Sequence, residues 1–249
     1  MQVKPRQTLT FIPVEWPAPK TIKTLVTTRL GGCSTGSWAS FNLATHVNDD
    51  PSCVSKNRKL LMQQGRLPAE PKWLNQTHTT KAVDLSQDYD GNADAAFTTQ
   101  KGRVAVVMTA DCLPLLVCNK QGDEIAAIHA GWKGLSEGIV TNTIHSLNSK
   151  PADLMVWIGP AISQPYFEVG NDVREAFCSK SNQAQSHFLI NPSGKFQADM
   201  VGIVKDELAG LGVTVIYGGH LCSYAEEELF FSYRRDGITG RMASLIWIA

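Results

Sequence analysis

Residues 103–134 read RVAVVMTADCLPLLVCNKQGDEIAAIHAGWKG. This stretch holds three short apolar runs, residues 103–108, 113–118 and 124–129, each the length of a strand and separated by polar or turn-forming groups. Beyond His129 the period changes. Trp132, Leu135, Ile139, Ile144 and Leu147 approximate one helical stripe, so the spacing predicts a helix over residues 131–147 directly behind the strand that carries His129.

Upstream, residues 25–28 read as a short strand that runs into the turn RLGGCSTGSW, where Gly31, Gly32 and Gly36 permit positive φ. Asp50 followed by Pro51 marks an N-cap and first helical position, opening a helix to about Gln64 that stops at Gly65. Residues 72–74 and 94–99 add two more strand-like runs. Downstream, residues 154–158, 213–217 and 244–248 read as strands and residues 172–178 and 200–211 as helices. Strands arrive in clusters, without the regular βαβ alternation of a doubly wound sheet, which predicts an α+β fold. No repeat, charge block or Pro/Gly-rich linker interrupts the chain, so residues 1–249 read as a single domain.

Composition narrows the function classes. The 249 residues are 43% hydrophobic, and 23 basic side chains balance 23 acidic ones. Such a chain lacks the clustered positive charge from which nucleic-acid and membrane-surface binders draw their affinity, whereas small anionic ligands remain open to it. The apolar runs at 104–108 and 113–118 are far too short to span a bilayer, and residues 1–20 lack the apolar core and small-residue cleavage site of a secretory signal. A cytoplasmic protein is expected. Six cysteines without a CxxC pair then read as packing thiols, with Cys112 singled out by its neighbours.

Reactive side chains gather at the ends of expected strands, in NQTHTT (75–80), TADCLP (109–114) and AAIHAGWKG (126–134). His78, Cys112 and His129 would supply two imidazoles and a thiolate, a three-ligand set that leaves the fourth position of a tetrahedral zinc free, as in catalytic sites. Each has an ordinary alternative: a solvated loop histidine, a small buried thiol, a hydrogen-bonded core histidine. Arg29 beside the glycine turn and Arg234, Arg235 and Arg241 in SYRRDGITGR form a basic group suited to phosphate. Ion pairing with Asp236 or with Glu226, Glu227 and Glu228 would account for the same arginines.

Six blocks, TTRLGGCSTGSWASFNLATHVNDD, NQTHTTKAVDL, VAVVMTADCLPLLV, AAIHAGWKGL, WIGPAISQPYFEVG and FFSYRRDGITGRMASLIWI, together resemble the YfiH-like, laccase-domain purine nucleoside phosphorylase family, in the family's order from about Thr27 onward. The resemblance implies a four-layer α/β/β/α fold similar to that of cysteine-hydrolase toxins. It also implies a zinc site at His78 in QTH, Cys112 in ADC and His129 in IHAGW, with copper possible at the same triad. The implied activities are phosphorolysis of adenosine, inosine, guanosine and methylthioadenosine, and deamination of adenosine. Purine nucleosides and phosphate would be its partners.

Other readings of the same residues differ in class. A cysteine hydrolase or amidase acting on peptidoglycan precursors would use Cys112 as nucleophile and His129 or His78 as base. A multicopper oxidase, which the family's older name suggests, needs on the order of ten histidine ligands, and the chain has six. A non-enzymatic binding protein would leave the concentration of titratable groups at strand ends without a purpose.

Overall fold

The computed structural model describes residues 9–249; the first eight residues of the segment searched for a signal lie outside them. In chain order the first half holds β1 (Phe11–Ile12), β2 (Ile22–Thr27), α1 (Pro51–Gln64), β3 (Ala82–Asp84), β4 (Ala95–Thr98), β5 (Val104–Thr109), β6 (Leu113–Asn119) and β7 (Ile125–Ala130). There follow α2 (Trp132–Glu137), α3 (Ile139–Ser146), β8 (Leu154–Ile158), β9 (Glu168–Val169), α4 (Asn171–Cys178), β10 (Phe188–Ile190) and β11 (Phe196–Ala198). The chain closes with α5 (Met200–Gly210), β12 (Val215–Gly218), α6 (Tyr233–Asp236) and β13 (Met242–Ile248).

The fold mixes α and β. One sheet has the order β1-β2-β13-β5 and is antiparallel throughout. A second, β12-β8-β6-β7-β4-β3, is antiparallel at its centre and parallel at β8–β12 and β3–β4. A small third sheet, β10-β11-β9, is packed into the same apolar layer as the helices, through Val169, Phe188 and Ala198. Side-chain alternation along the strands builds three apolar layers. Leu113, Leu115 and Val117 of β6 pack with Ile139, Val140 and Ile144 of α3 and with Val204 and Leu208 of α5. Leu116 and Cys118, on the opposite face of β6, pack with Ala105 and Val107 of β5 and Ile246 of β13. On the far side of the four-stranded sheet, Val104, Val106, Leu245 and Trp247 meet Leu61 of α1. Helices, sheet, sheet and α1 are therefore stacked in that order. The central strands are covered on both faces, which is why 104–108 and 113–118 read as unbroken apolar runs.

Helix α1 begins and ends where its signals place it. The Asp50 carboxylate accepts from Ser52 N at 2.8 Å, Pro51 occupies the first turn, and Val54, Asn57 and Leu61 form the buried stripe. Three expectations need correction. The helix expected over 131–147 is two helices, because Gly138 sits at φ 102°, a left-handed conformation that ends α2 and restarts the chain as α3. Residues 72–74 form no strand but one isolated bridge, Lys72 to Ala105, since Pro71 and a turn from Trp73 N back to Pro71 O interrupt pairing. The cysteines are also less uniformly packed than expected: Cys118 and Cys222 are buried, Cys33 is exposed, and Cys53, Cys112 and Cys178 are half-buried. Among the described residues no helix is long and apolar enough to cross a membrane.

Candidate active site

His129 lies at the end of β7 and continues the side of Ile125 and Ala127, which face the layer between the sheets. Cys112 stands one residue before β6, in the turn that joins it to β5. His78 comes from the loop before β3. One ligand atom from each of the three side chains lies within 4.8 Å of the others, and Cys112 Sγ is 3.6 Å from His78 Nε2. Three segments distant in sequence thus converge where the sheets open.

Asp94, absent from the residues singled out by motif, organises this convergence. Fully buried, it accepts at Oδ1 from His78 N (3.0 Å) and from His129 Nδ1 (2.7 Å), and at Oδ2 from Thr79 N (2.6 Å) and Thr79 Oγ1 (2.8 Å). Burial alone would raise its carboxyl, but hydrogen bonds from His129 and Thr79 outweigh that and hold it at about 2. An ionised carboxylate only accepts, so His129 Nδ1 carries a proton, and Nε2 is the nitrogen whose lone pair a metal would take in place of a proton. Gln76 braces the same loop against β5, its Nε2 donating to Met108 O and its Oε1 accepting from Met108 N, both at 2.8 Å.

Backbone strain marks the site as well. His78 and Asp111 have φ of 62° and 96°, conformations that side-chain-bearing residues rarely adopt. Asp111 is held by Ser223 Oγ and Arg234 N, each donating to its carboxylate at 2.7 Å. Gly131 supplies clearance: a Cβ there would lie 2.3 Å from His78 Cδ2 and 3.1 Å from Cys112 Sγ. The glycine of the IHAGW block therefore exists to let His78 approach.

The donor set fits a metal: a thiolate-forming sulfur, a histidine with its tautomer fixed by a carboxylate, and a second imidazole nitrogen facing them. In the protein itself these groups polarise one another. Burial would push the Cys112 thiol up, but the neighbouring His129 and His78 draw it down to about 6. His129, which burial would push down, is raised to about 9 by Cys112 and Asp94. The pair thus leans towards thiolate and imidazolium.

The triad lines a cavity of about 520 Å³, within the range of small-molecule sites. Trp132, Phe167, Met200 and Tyr233 give it apolar walls, and Arg234, Arg241 and His46 bring cationic or titratable groups to it. The four arginines singled out in the sequence separate here. Arg234 donates from Nη1 to Glu168 O (2.7 Å) and lies over the Phe167 ring; Arg241 donates from Nη1 to Thr239 O and Gly240 O (3.0 and 2.9 Å). Each retains further donors on the cavity's lining. Arg29 and Arg235 do not line it. Arg29 is spent on Ala39 O and Glu227 O, and Arg235 on Asp236 and on the carbonyls of Ser223, Tyr224 and Phe230. Asp94, Gln76 and His46 and the walls Phe167, Met200 and Tyr233 were given no role in the site from sequence, although Gln76 lies in NQTHTT, His46, Phe167 and Tyr233 lie in the family blocks, Asp94 opens the strand-like run 94–99 and Met200 the helix expected over 200–211.

The family described as multi-copper polyphenol oxidoreductase laccase matches residues 23–249. A purine nucleoside phosphorylase of Haemophilus influenzae is 45% identical over 237 residues, 93% of this chain and 96% of its own. The purine nucleoside phosphorylase YfiH of Shigella flexneri is 44% identical over 94% of this chain and 97% of its own. Among solved structures, a Neisseria meningitidis protein superposes with a TM-score of 0.91 at 46% identity, covering 96% of this chain and 98% of that one. YlmD from Geobacillus stearothermophilus gives 0.85 at 25% identity, over 97% and 99%.

Proposed function

Because the chain belongs to the multi-copper polyphenol oxidoreductase laccase family, with relatives named purine nucleoside phosphorylase, we propose that it is a zinc-dependent purine nucleoside phosphorylase, folded as one catalytic domain. Adenosine, inosine, guanosine and methylthioadenosine are its substrates in this reading, and adenosine deamination is a side activity. The observation that carries it is one cavity that brings together a His-Cys-His donor set, apolar walls and two arginines with unspent donors.

His78, Cys112 and His129 would hold the zinc, which would supply a Lewis acid there. Asp94 fixes the ring and tautomer of His129 and the backbone of His78. Phe167, Tyr233 and Trp132 offer flat apolar surfaces to the purine. Arg234 and Arg241 hold phosphate with charge-assisted bonds, oriented for attack on the ribose anomeric carbon as the bond to the purine breaks. Closing the ligand between these walls excludes water, so that phosphate is the nucleophile for base release. The family's fit to copper is met by the same triad, but six histidines remain too few for a multicopper oxidase.

Chromatography of inosine and adenosine, with and without phosphate and with and without chelator, tests the proposal. Free base should form only with phosphate, adenosine should still yield inosine without it, and chelation should stop both. Arg234→Ala or Arg241→Ala should raise the phosphate KM by roughly one to two orders of magnitude, the loss of a charge-assisted contact of about 1.5–3 kcal/mol. Unchanged nucleosides under every metal-replete condition overturn the reading.

The mutual polarisation of Cys112 and His129, with Asp94 behind the histidine, favours a second reading. It is a Cys–His–Asp amidase acting on peptidoglycan precursors, in the manner of the cysteine hydrolases the fold was expected to resemble. Such an enzyme would cleave an aminoacyl amide after its metal is stripped, where the phosphorylase would be silent.

A further inference from the structure

Cys33 and Cys53 lie outside the cavity, 20 positions apart, at the junction of the glycine turn and the first turn of α1. Each sulfur is 3.4 Å from the other residue's carbonyl oxygen: Cys33 Sγ from Cys53 O, and Cys53 Sγ from Cys33 O. Their backbones are anchored independently. Cys33 N donates to Oδ1 of the buried Asn57 at 2.9 Å, and Cys53 N donates to Asp50 O at 3.0 Å. The turn is pressed hard against the helix at this point, since a Cβ on Gly32 would lie 2.1 Å from Ser40 O and 2.7 Å from Asn57 Oδ1. The two side chains therefore meet across this junction, each sulfur against the other residue's backbone. Cys33 is exposed, so a small oxidant reaches it. No third ligand accompanies them: among the described residues only His78, Cys112 and His129 form a group able to hold a metal.

We propose that Cys33 and Cys53 are a modification site, a dithiol that closes reversibly to an intrachain disulfide and fastens the 29–40 turn to α1. One sulfur–sulfur bond forms as each thiol gives up a proton and an electron, and the two electrons reduce one molecule of glutathione disulfide to two of glutathione. The contact slows the chemistry rather than driving it: desolvation where the side chains meet, and the neighbouring Cys53, push the Cys33 thiol up to about 11, so exchange is slow at neutral pH and quickens as pH rises. The bond has a structural reach. Asn57 also donates to Asn42 O at 2.9 Å, and Asn42 Oδ1 accepts from Arg241 N at 3.0 Å, so the stapled turn lies two hydrogen-bonded residues from the cavity. Closing a loop of this length removes freedom chiefly from the unfolded chain, which stabilises the fold.

The test uses the whole metal-loaded protein, incubated with glutathione disulfide at mildly alkaline pH and quenched with an alkylating agent. The expected result is loss of two titratable thiols, a proteolytic peptide pair joined through Cys33 and Cys53, a higher melting temperature, and full reversal by dithiothreitol. Cys33→Ser and Cys53→Ser should each abolish the joined peptides and the thermal shift while keeping the reduced protein's melting temperature. Glutathione mixed disulfides without the joined pair, a cross-link between chains, or a lower melting temperature after closure would each overturn the proposal.

Discussion

Gly131 and Asp94 are the two residues on which the triad's geometry turns, and they act through different physics. Gly131 acts by absence. Gly131→Ala places a methyl 2.3 Å from His78 Cδ2, and the ring must move. We expect metal affinity to fall at least tenfold by competitive chelator titration, with a melting temperature near wild type in the metal-free protein. Gly210→Ala, where a Cβ meets nothing within 4 Å, is the control and should leave affinity unchanged. Asp94 acts by charge. Asp94→Asn keeps the shape of the acceptor but removes the carboxylate behind His129, and affinity should fall about 10- to 100-fold in the same titration, as for other carboxylates placed behind metal-binding histidines. An unchanged value in either variant would separate that residue from the site. The three residues were marked in the sequence because each sits in a short polar block at a strand end, but it was the family resemblance that assigned them as one set. Asp94 was not, because NADAAF carries no motif and the residue's value comes from its partners in space.

At the level of elements, the longer strands and α1 were legible because burial and capping are local signals, and the break between α2 and α3 was not. A stripe of apolar residues runs from Trp132 through Ile144, and periodicity cannot register a left-handed residue within it. Gly138→Ala should cost about 1–2 kcal/mol, read as a lower denaturant midpoint with unchanged slope. The contact between α3 and α5 makes a pH-dependent prediction. Glu207 Oε1 accepts from Thr141 N and Oγ1 at 3.1 and 2.7 Å, and burial pushes its carboxyl above the usual range in spite of these bonds. A carboxyl raised on folding favours the folded state most when protonated. Its contribution is full below its unfolded pKa of about 4.3 and is lost as pH rises through the folded value. Glu207→Gln keeps the acceptor and removes the buried charge. It should raise the melting temperature at neutral pH, by an amount that shrinks as pH falls towards 4; a gain independent of pH would mean that charge is not the cause. The very short strands β1, β3, β9, β10 and β11 went unread because two or three residues show no alternation.

For the whole molecule, His78, Cys112 and His129 join segments separated by 34 and 17 residues at the mouth between two sheets, so a metal held there would tie the stack together. Metal at a thousandfold excess over its Kd adds about 4 kcal/mol to stability, which for a chain of this size is roughly 8–16 °C in melting temperature. Chelation should remove that increment from the wild type and leave Cys112→Ala unmoved; equal shifts in both would place the metal elsewhere. The sheet order has a further consequence, for synthesis rather than for catalysis. β13 lies between β2 and β5 and pairs with both, yet it is made more than a hundred residues after β5. Until residues 242–248 have been made, β2 and β5 each lack the partner strand that satisfies the backbone groups along one edge. The nascent chain therefore carries two unpaired apolar strand edges from the time β5 has been made until β13 follows.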